Sequence, residues 1–185
     1  MAIKTFTTGE VLTASDTNTY LNNGGLVYIK NQVVGAGVGS VTVSTAFSST
    51  YDNYRIIWTG GTQSTASDII LKLGAANTQY YNWMTYGAYT AGNATPAGAG
   101  QNNTTQWSWV GGGDSNASIV DVDLYNPNQT KYTFMRALGF YSASANAGYN
   151  AGVLKDSTAY TAFTLTPAAG TMSGGTITVY GYRLG

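Results

Sequence analysis

The run Ile119-Val120-Asp121-Val122-Asp123-Leu124 alternates apolar and acidic residues from Val120 to Leu124 without a break. In an extended chain successive side chains point to opposite faces, so Val120, Val122 and Leu124 share one face and Asp121 and Asp123 the other. A helical period of 3.6 does not produce that order. The run reads as a strand with one buried face. The same period recurs on either side of it. Tyr54, Ile56 and Trp58 stand opposite Arg55 and Ile57, and Ile69, Leu71 and Leu73 stand opposite Asp68, Ile70 and Lys72. Val41, Val43 and Phe47 alternate with polar residues, as do Phe163 with Leu165 and Ile177 with Val179, and Leu26 to Val34 is β-branched and apolar. Clusters of Gly, Asn, Ser and Pro separate these runs, with Asn126-Pro127-Asn128-Gln129 the strongest turn signal. Ala91 to Asn103 and Gly111 to Asn116 read as surface loops. Short alternating runs between turn clusters predict an all-β fold, a jelly-roll-like antiparallel β-sandwich over residues 25–185.

Residues 1–24 differ. Thr13 is a plausible helix N-cap, Asp16 stands three residues on in a variant of the capping box, and Gly24 can end the helix. A helix of about ten residues is marginal in isolation. Its apolar residues Val11, Leu12, Tyr20 and Leu21 are too few to form a core, so it needs a neighbour.

Composition narrows the chemistry. The chain has 185 residues, a length suited to one domain with a short appendage, and 43% hydrophobic content supports a sizeable core. Only 9% of residues are charged, against about 25% in an ordinary soluble domain. Lys and Arg number 8 and Asp and Glu number 8, so no basic footprint for nucleic acid exists. Cysteine and histidine are absent, which removes disulfides, thiolate metal sites, Cys nucleophiles and imidazole bases. Neither a signal-peptide h-region nor a stretch of membrane-spanning length is visible, so no membrane insertion is expected. No cofactor is expected. Gly (24), Tyr (15) and uncharged polar residues dominate, and a surface so poor in charge favours association, which a symmetric oligomer makes specific.

Few residues could carry function. Asp121 and Asp123, at i and i+2 on a strand, lie roughly 7 Å apart between Cα atoms. That spacing suits a glycosidase pair or a cation, but also the polar face of a half-exposed strand. Asp114-Ser115-Asn116 begins like a calcium loop but lacks its central Gly and distal Glu, and reads as a turn. Gly111-Gly112-Gly113 is no phosphate cradle, since no Lys-Ser/Thr or helix start follows. Trp107 and Trp109 alternate and are expected on one sheet face. With Asn102 and Asn103 nearby they could stack a sugar, or they could pack in a core or subunit interface. Tyr80, Tyr81, Trp83, Tyr86 and Tyr89 pose the same choice, and so many uncharged aromatics in one run suggest a contact surface. Tyr132, Phe134, Leu138 and Phe140 share a face with Arg136, which stands where a monomer would place a hydrocarbon. Either a bulge shifts the register there, or Arg136 pairs across an interface, the reading favoured here.

Phe6-Thr7-Thr8-Gly9-Glu10-Val11-Leu12-Thr13-Ala14-Ser15-Asp16-Thr17-Asn18-Thr19-Tyr20-Leu21 resembles the N-terminal segment of tailed-bacteriophage fibre and appendage proteins, in which a short F-x-x-G-x-V-L-T-A-x-D/Q-x-N stretch precedes a strand-rich body. Tyr51-Asp52-Asn53-Tyr54-Arg55-Ile56, the Asn126-Pro127-Asn128 turn and the terminal Gly175-Thr176-Ile177-Thr178-Val179-Tyr180-Gly181-Tyr182-Arg183-Leu184 are also similar to such proteins. The resemblance implies a non-enzymatic virion structural protein assembled in the host bacterial cytoplasm. It also implies a homotrimer, with residues 1–24 docking on other virion proteins and a head contacting a host cell-surface glycan. Phe6, Val11, Leu12, Tyr20 and Leu21 would serve docking and trimerisation, with Arg136 at the trimer interface. Without a long shaft, a short tail fibre, spike or knob fits best. A capsid-attached head fibre or decoration protein with no receptor role is the alternative, and a polysaccharide-degrading enzyme using Asp121 and Asp123 is the competitor from another class.

Overall fold

The computed structural model describes residues 7–16, 25–90, 96–141 and 145–183. After a three-residue helical turn, α1 (Ala14–Asp16), thirteen strands follow: β1 (Leu26–Val33), β2 (Val41–Val43), β3 (Asn53–Gln63), β4 (Ser67–Leu73), β5 (Tyr80–Ala88), β6 (Ala97–Thr104), β7 (Trp107–Gly113), β8 (Ser118–Tyr125), β9 (Thr133–Tyr141), β10 (Asn146–Leu154), β11 (Phe163–Pro167), β12 (Met172–Ser173) and β13 (Thr176–Tyr182). Every ladder is antiparallel.

Eight strands make a jelly roll. One sheet runs β1-β13-β3-β8 and the other β2-β11-β4-β7, so consecutive strands of the roll cross from one sheet to the other except at β4 and β7, which pair side by side. The inner faces are the alternating residues read above. Tyr54, Ile56, Trp58, Val120, Val122, Leu124, Ile177 and Val179 come from the first sheet, and Val43, Ile69, Leu71, Leu73, Phe163 and Leu165 from the second. All are buried in one hydrophobic cluster. Each such side chain contributes about 1.5–3 kcal/mol on leaving water, which is where most of the stability of a disulfide-free domain must come from. Phe47 stacks on Phe163 at 5.6 Å and meets Tyr54 edge-on at 4.8 Å, and the Tyr54 hydroxyl closes the β2–β3 connection by donating to the Ser48 carbonyl at 2.6 Å. The Asn126–Gln129 turn lies between β8 and β9, with the Gln129 N–H donating to the Asn126 carbonyl at 3.2 Å.

Two hairpins extend this frame. β5–β6 is inserted between β4 and β7, and β9–β10 between β8 and β11; together they add β9-β10-β5-β6 to the free side of β8. β8 therefore pairs with β3 on one edge, while its other edge is shared between β7 (at Ser118–Val120) and β9 (at Val122–Tyr125).

Three expectations change. Residues 97–104 are strand β6, not loop, because Gly98 and Gly100 pair with β5 while Trp83 covers them. Residues 111–113 are the buried end of β7, where a Cβ on Gly112 would collide with the Phe140 carbonyl oxygen. Only Asp114–Asn116 turns, with Asp114 Oδ1 accepting the Asn116 N–H at 2.8 Å. That bond to the backbone holds the Asp114 carboxyl below its ordinary range. Finally, β9 is turned over. Thr133, Met135 and Ala137 are buried, whereas Tyr132, Phe134 and Arg136 are exposed. Met135 fills part of the buried face, but toward the end of the strand the Met84 side chain and the backbone of β7 leave no room for more bulk. At Gly139 a Cβ would meet the Trp109 carbonyl at 3.1 Å.

At the start of the chain the capping pattern is formed. Thr13 Oγ1 accepts the Asp16 N–H at 3.1 Å, and Asp16 Oδ2 accepts the Thr13 N–H at 3.1 Å. Val11 is 78% exposed and Leu12 50% exposed. Phe6, Tyr20, Leu21 and the expected continuation of the helix to Gly24 lie outside the described residues.

Candidate functional site

The two tryptophans expected to form one platform are separated by a bulge. β4 pairs Ile69 with Gly111 but Leu71 with Trp107, so β7 carries two extra residues there, and Trp109 takes a left-handed φ of 60°. Trp107 is in the core. It packs edge-on against Tyr80 at 5.0 Å and donates its indole N–H to the Tyr81 carbonyl at 3.3 Å, leaving no ring face for a ligand. Trp109 is half-buried. Side chains brace the bulge. Asp68 accepts the Trp109 N–H at 3.2 Å, Asn150 Nδ2 donates to the Ser108 carbonyl at 2.7 Å, and Asn82 Nδ2 donates to Asn150 Oδ1 at 3.0 Å. Burial pushes the Asp68 carboxyl above its ordinary value, only partly offset by that backbone hydrogen bond.

The other sequence candidates scatter. Asn103 uses Oδ1 to accept the Gln79 N–H at 3.0 Å and itself sits at φ 54°, at the irregularity where the register of β6 shifts against β5; Asn102 beside it is exposed. Tyr86 is half-buried. Tyr89 is exposed and lines, with Phe140 and the Asp114–Ser118 turn, an apolar basin of about 490 Å³ at the far end of the extension. Trp107, Trp109, Asn102 and Asn103 thus do not converge.

A different set does. Strand registers place Arg136, Ala151, Trp83 and Gly100 side by side across β9, β10, β5 and β6, with Phe134, Val153 and Tyr81 in the next row and Leu138, Tyr149, Thr85 and Gly98 in the row beyond. This is the outer face. Trp83 is 59% exposed and Tyr149 74% exposed. The Trp83 indole lies over β6, so close that a Cβ on Gly100 would fall 2.7 Å from it. One ring face therefore covers glycines and the other faces solvent. Lys155 places its ammonium 4.6 Å from the Tyr81 ring centre, a cation–π contact that closes this row.

On the same face, next to Tyr149, lies the charged cluster. Arg55 donates to Asp121 at 2.5 Å, Arg136 donates to Asp123 Oδ2 at 2.6 Å, and the Tyr182 hydroxyl donates to Asp123 Oδ1 at 2.5 Å. Asp123 is 5% exposed, while the Arg136 side chain remains mostly open to solvent. Burial, reinforced by the bond to Asp123, raises the Tyr182 phenol above its ordinary value. The hydrogen bond to Asp123 likewise raises Arg136. Arg136 thus pairs within its own chain, with the neighbouring strand, and needs neither a bulge nor a second subunit. Asp121 and Asp123 each face a guanidinium rather than the apolar pocket that a glycosidase acid uses. The arrangement presents donors and acceptors with balanced charge. Among the described residues no group of three or more acidic side chains is placed to hold a metal ion.

Sequence reading missed Phe134, Tyr149 and Trp83 as one surface. The available signal was Arg136 itself, since a cation in the middle of an apolar face marks that face as the outer one. No protein-family model and no curated protein matches the chain, so the site rests on its own geometry.

Proposed function

We propose that this chain is a bacteriophage virion structural protein. It would be a short tail fibre, spike or knob whose residues 1–24 dock and trimerise, and whose jelly-roll head meets a host-surface glycan. The observation that carries the reading is the leader. A capped helix start sits beside Val11 and Leu12, both exposed and, among the described residues, outside the hydrophobic core cluster. Apolar side chains placed next to a built helix start gain stability once covered, and further copies around a symmetry axis, or a virion protein, would cover them. The head needs no such help, because its core closes within one chain. The resemblance of residues 6–21 to phage appendage leaders agrees with this division, and an aromatic, charge-balanced outer face suits an adhesive head.

Deleting residues 1–24 tests the reading. The head should stay folded, with an unchanged thermal midpoint, but run as a monomer in light scattering and fail to enter phage particles. A truncated chain that still trimerises and still assembles into particles would overturn the assignment of the leader. Against the reading as an enzyme, Asp121→Asn is expected to leave the chain without any change in polysaccharide turnover, measured as reducing ends released.

A further inference from the structure

We propose that the outer face of the inserted hairpins is a binding site for an uncharged pyranose chain. Its units would stack on Trp83 and Tyr149, and a hydroxyl would be held by Arg136. The inference rests on the reading of the head as the ligand-binding part and names what it binds and where.

Four observations converge. The first is ring presentation. Trp83 is fixed from beneath by Gly98 and Gly100, so its solvent face is held in place before any ligand arrives and little ordering entropy is lost on binding. The second is spacing. Trp83 pairs with Ala151 and Tyr149 lies two residues along the same strand, so the two rings are diagonal neighbours, with Cα atoms about 7–8 Å apart. The small side chain of Ala151 leaves a furrow rather than a filled surface. The third is shape. Shallow basins of about 450 and 390 Å³ lie on this face, the first lined by Trp83, Ala151 and Phe134 and the second by Tyr149, Arg136 and Asp123.

The fourth is charge, and it selects the ligand class. Two guanidiniums and two carboxylates cancel within the cluster, and the Lys155 ammonium at the edge of the face is engaged on the Tyr81 ring, so little net charge is left to draw a polyanion. It still offers N–H donors from Arg136, whose side chain is largely open. A protein partner laid over this face would have to desolvate both ion pairs and match every remaining donor and acceptor in one rigid geometry, at a cost that tends to exceed the gain. Sugar hydroxyls instead replace the water they displace, bond for bond, while the apolar C–H face of the ring covers the aromatics. An uncharged, hydroxyl-rich, flat-faced chain fits all four observations.

The test uses the full-length chain and a panel of uncharged hexasaccharides (glucan, mannan and galactan), read by tryptophan fluorescence and titration calorimetry. Trp83 is the most exposed of the four tryptophans, so stacking should shift emission. At least one probe should bind, and Trp83→Ala and Tyr149→Ala should each weaken it by about tenfold or more, as truncation of an aromatic anchor does. Trp83→Phe should retain part of the affinity, and light scattering should give all variants the native mass. Failure of every probe to bind, or undiminished binding by both alanine variants, would overturn the proposal. So would a loss of native mass in Trp83→Ala, which would identify the face as a contact between copies. Particle incorporation of the same variants separates the two readings. Intact assembly with lost sugar binding supports both, whereas sugar binding by a chain that never enters particles supports the site and sinks the virion role.

Discussion

The jelly-roll frame and its four-strand extension are built from the same alternating pattern, but the extension divides its large side chains between both faces. In the frame, the large side chains point in: Trp58, Tyr54 and Phe163 are fully buried. In the extension the inner face mixes Tyr80, Met84, Met135 and Leu154 with small or polar residues, among them Ala137, Gly139, Asn82 and Asn150, while other large side chains point out, led by Tyr149, Trp83 and Phe134. Apolarity alone does not decide which face of a strand is buried. The space left by the layer behind it does. The frame encloses a wide slot between two sheets, whereas the extension lies against the bulged β7, which brings backbone close to backbone.

The largest effect that would test this contrast is in the frame. Trp58→Ala should cost about 3–5 kcal/mol in denaturant unfolding, the usual cost of emptying a packed aromatic site. Trp83→Ala, an equal truncation on the opposite kind of face, should cost less than about 1 kcal/mol despite its cover over Gly98 and Gly100. Equal losses would break the contrast. Next comes the tight seam. Gly112→Ala should destabilise by about 1–3 kcal/mol, because its new methyl must displace the Phe140 backbone rather than a side chain. An unchanged unfolding midpoint would show the seam to be looser than drawn. Asp123→Ala should follow at about 1–3 kcal/mol, since it strips an acceptor from both Arg136 and Tyr182, and Arg136→Ala should cost less, because Tyr182 still serves the remaining carboxylate. A reversed order would mean that the exposed arginine carries the pair.

The smallest effect depends on pH. Asp68 is held above its ordinary value, so the folded state binds its proton more tightly than the unfolded chain. Its contribution is complete below about pH 3.9 and is lost as pH rises through its folded value. The thermal midpoint of Asp68→Asn relative to the native chain should therefore improve between pH 4 and pH 7. Asp156 shifts the other way, because it accepts from the Tyr160 hydroxyl, and that phenol is itself pushed up to about 12, chiefly by burial. Its contribution is present above the ordinary Asp value and fades as pH falls through the lowered one. Asp156→Asn should thus be most costly at neutral pH, with the penalty shrinking in acid. Parallel trends in the two variants would contradict the opposite environments assigned to them.

Period two made the frame readable. Val120, Val122 and Leu124, Tyr54, Ile56 and Trp58, and Ile177 and Val179 all took the faces that their alternation predicted, because a sandwich core rewards bulk on one side of each strand. The extension was less readable for three physical reasons. Glycines 98, 100 and 112 mark loops in a sequence, but here they mark strands too crowded for a Cβ. The bulge at Trp109 breaks the alternation that had put it beside Trp107. And β9 offers two faces of which the less bulky is buried, a choice made by β7 from a distant part of the chain. The candidate site suffered accordingly. Its ring types and its charged pair were visible, but the pairing of Tyr149 with Trp83 depends on the register of β10 with β5, which no local pattern encodes.

That register has a consequence for synthesis. The edge of β5 that is not paired with β6 waits for β10, so Ala88 meets its partner only when Asn146 has been made. Until then a nascent chain would carry an unsatisfied row of amides and carbonyls beside an uncovered indole, the combination that recruits foreign strands. A chain terminated ahead of β10 should therefore be recovered in the pellet of a cell extract rather than as a smaller soluble domain.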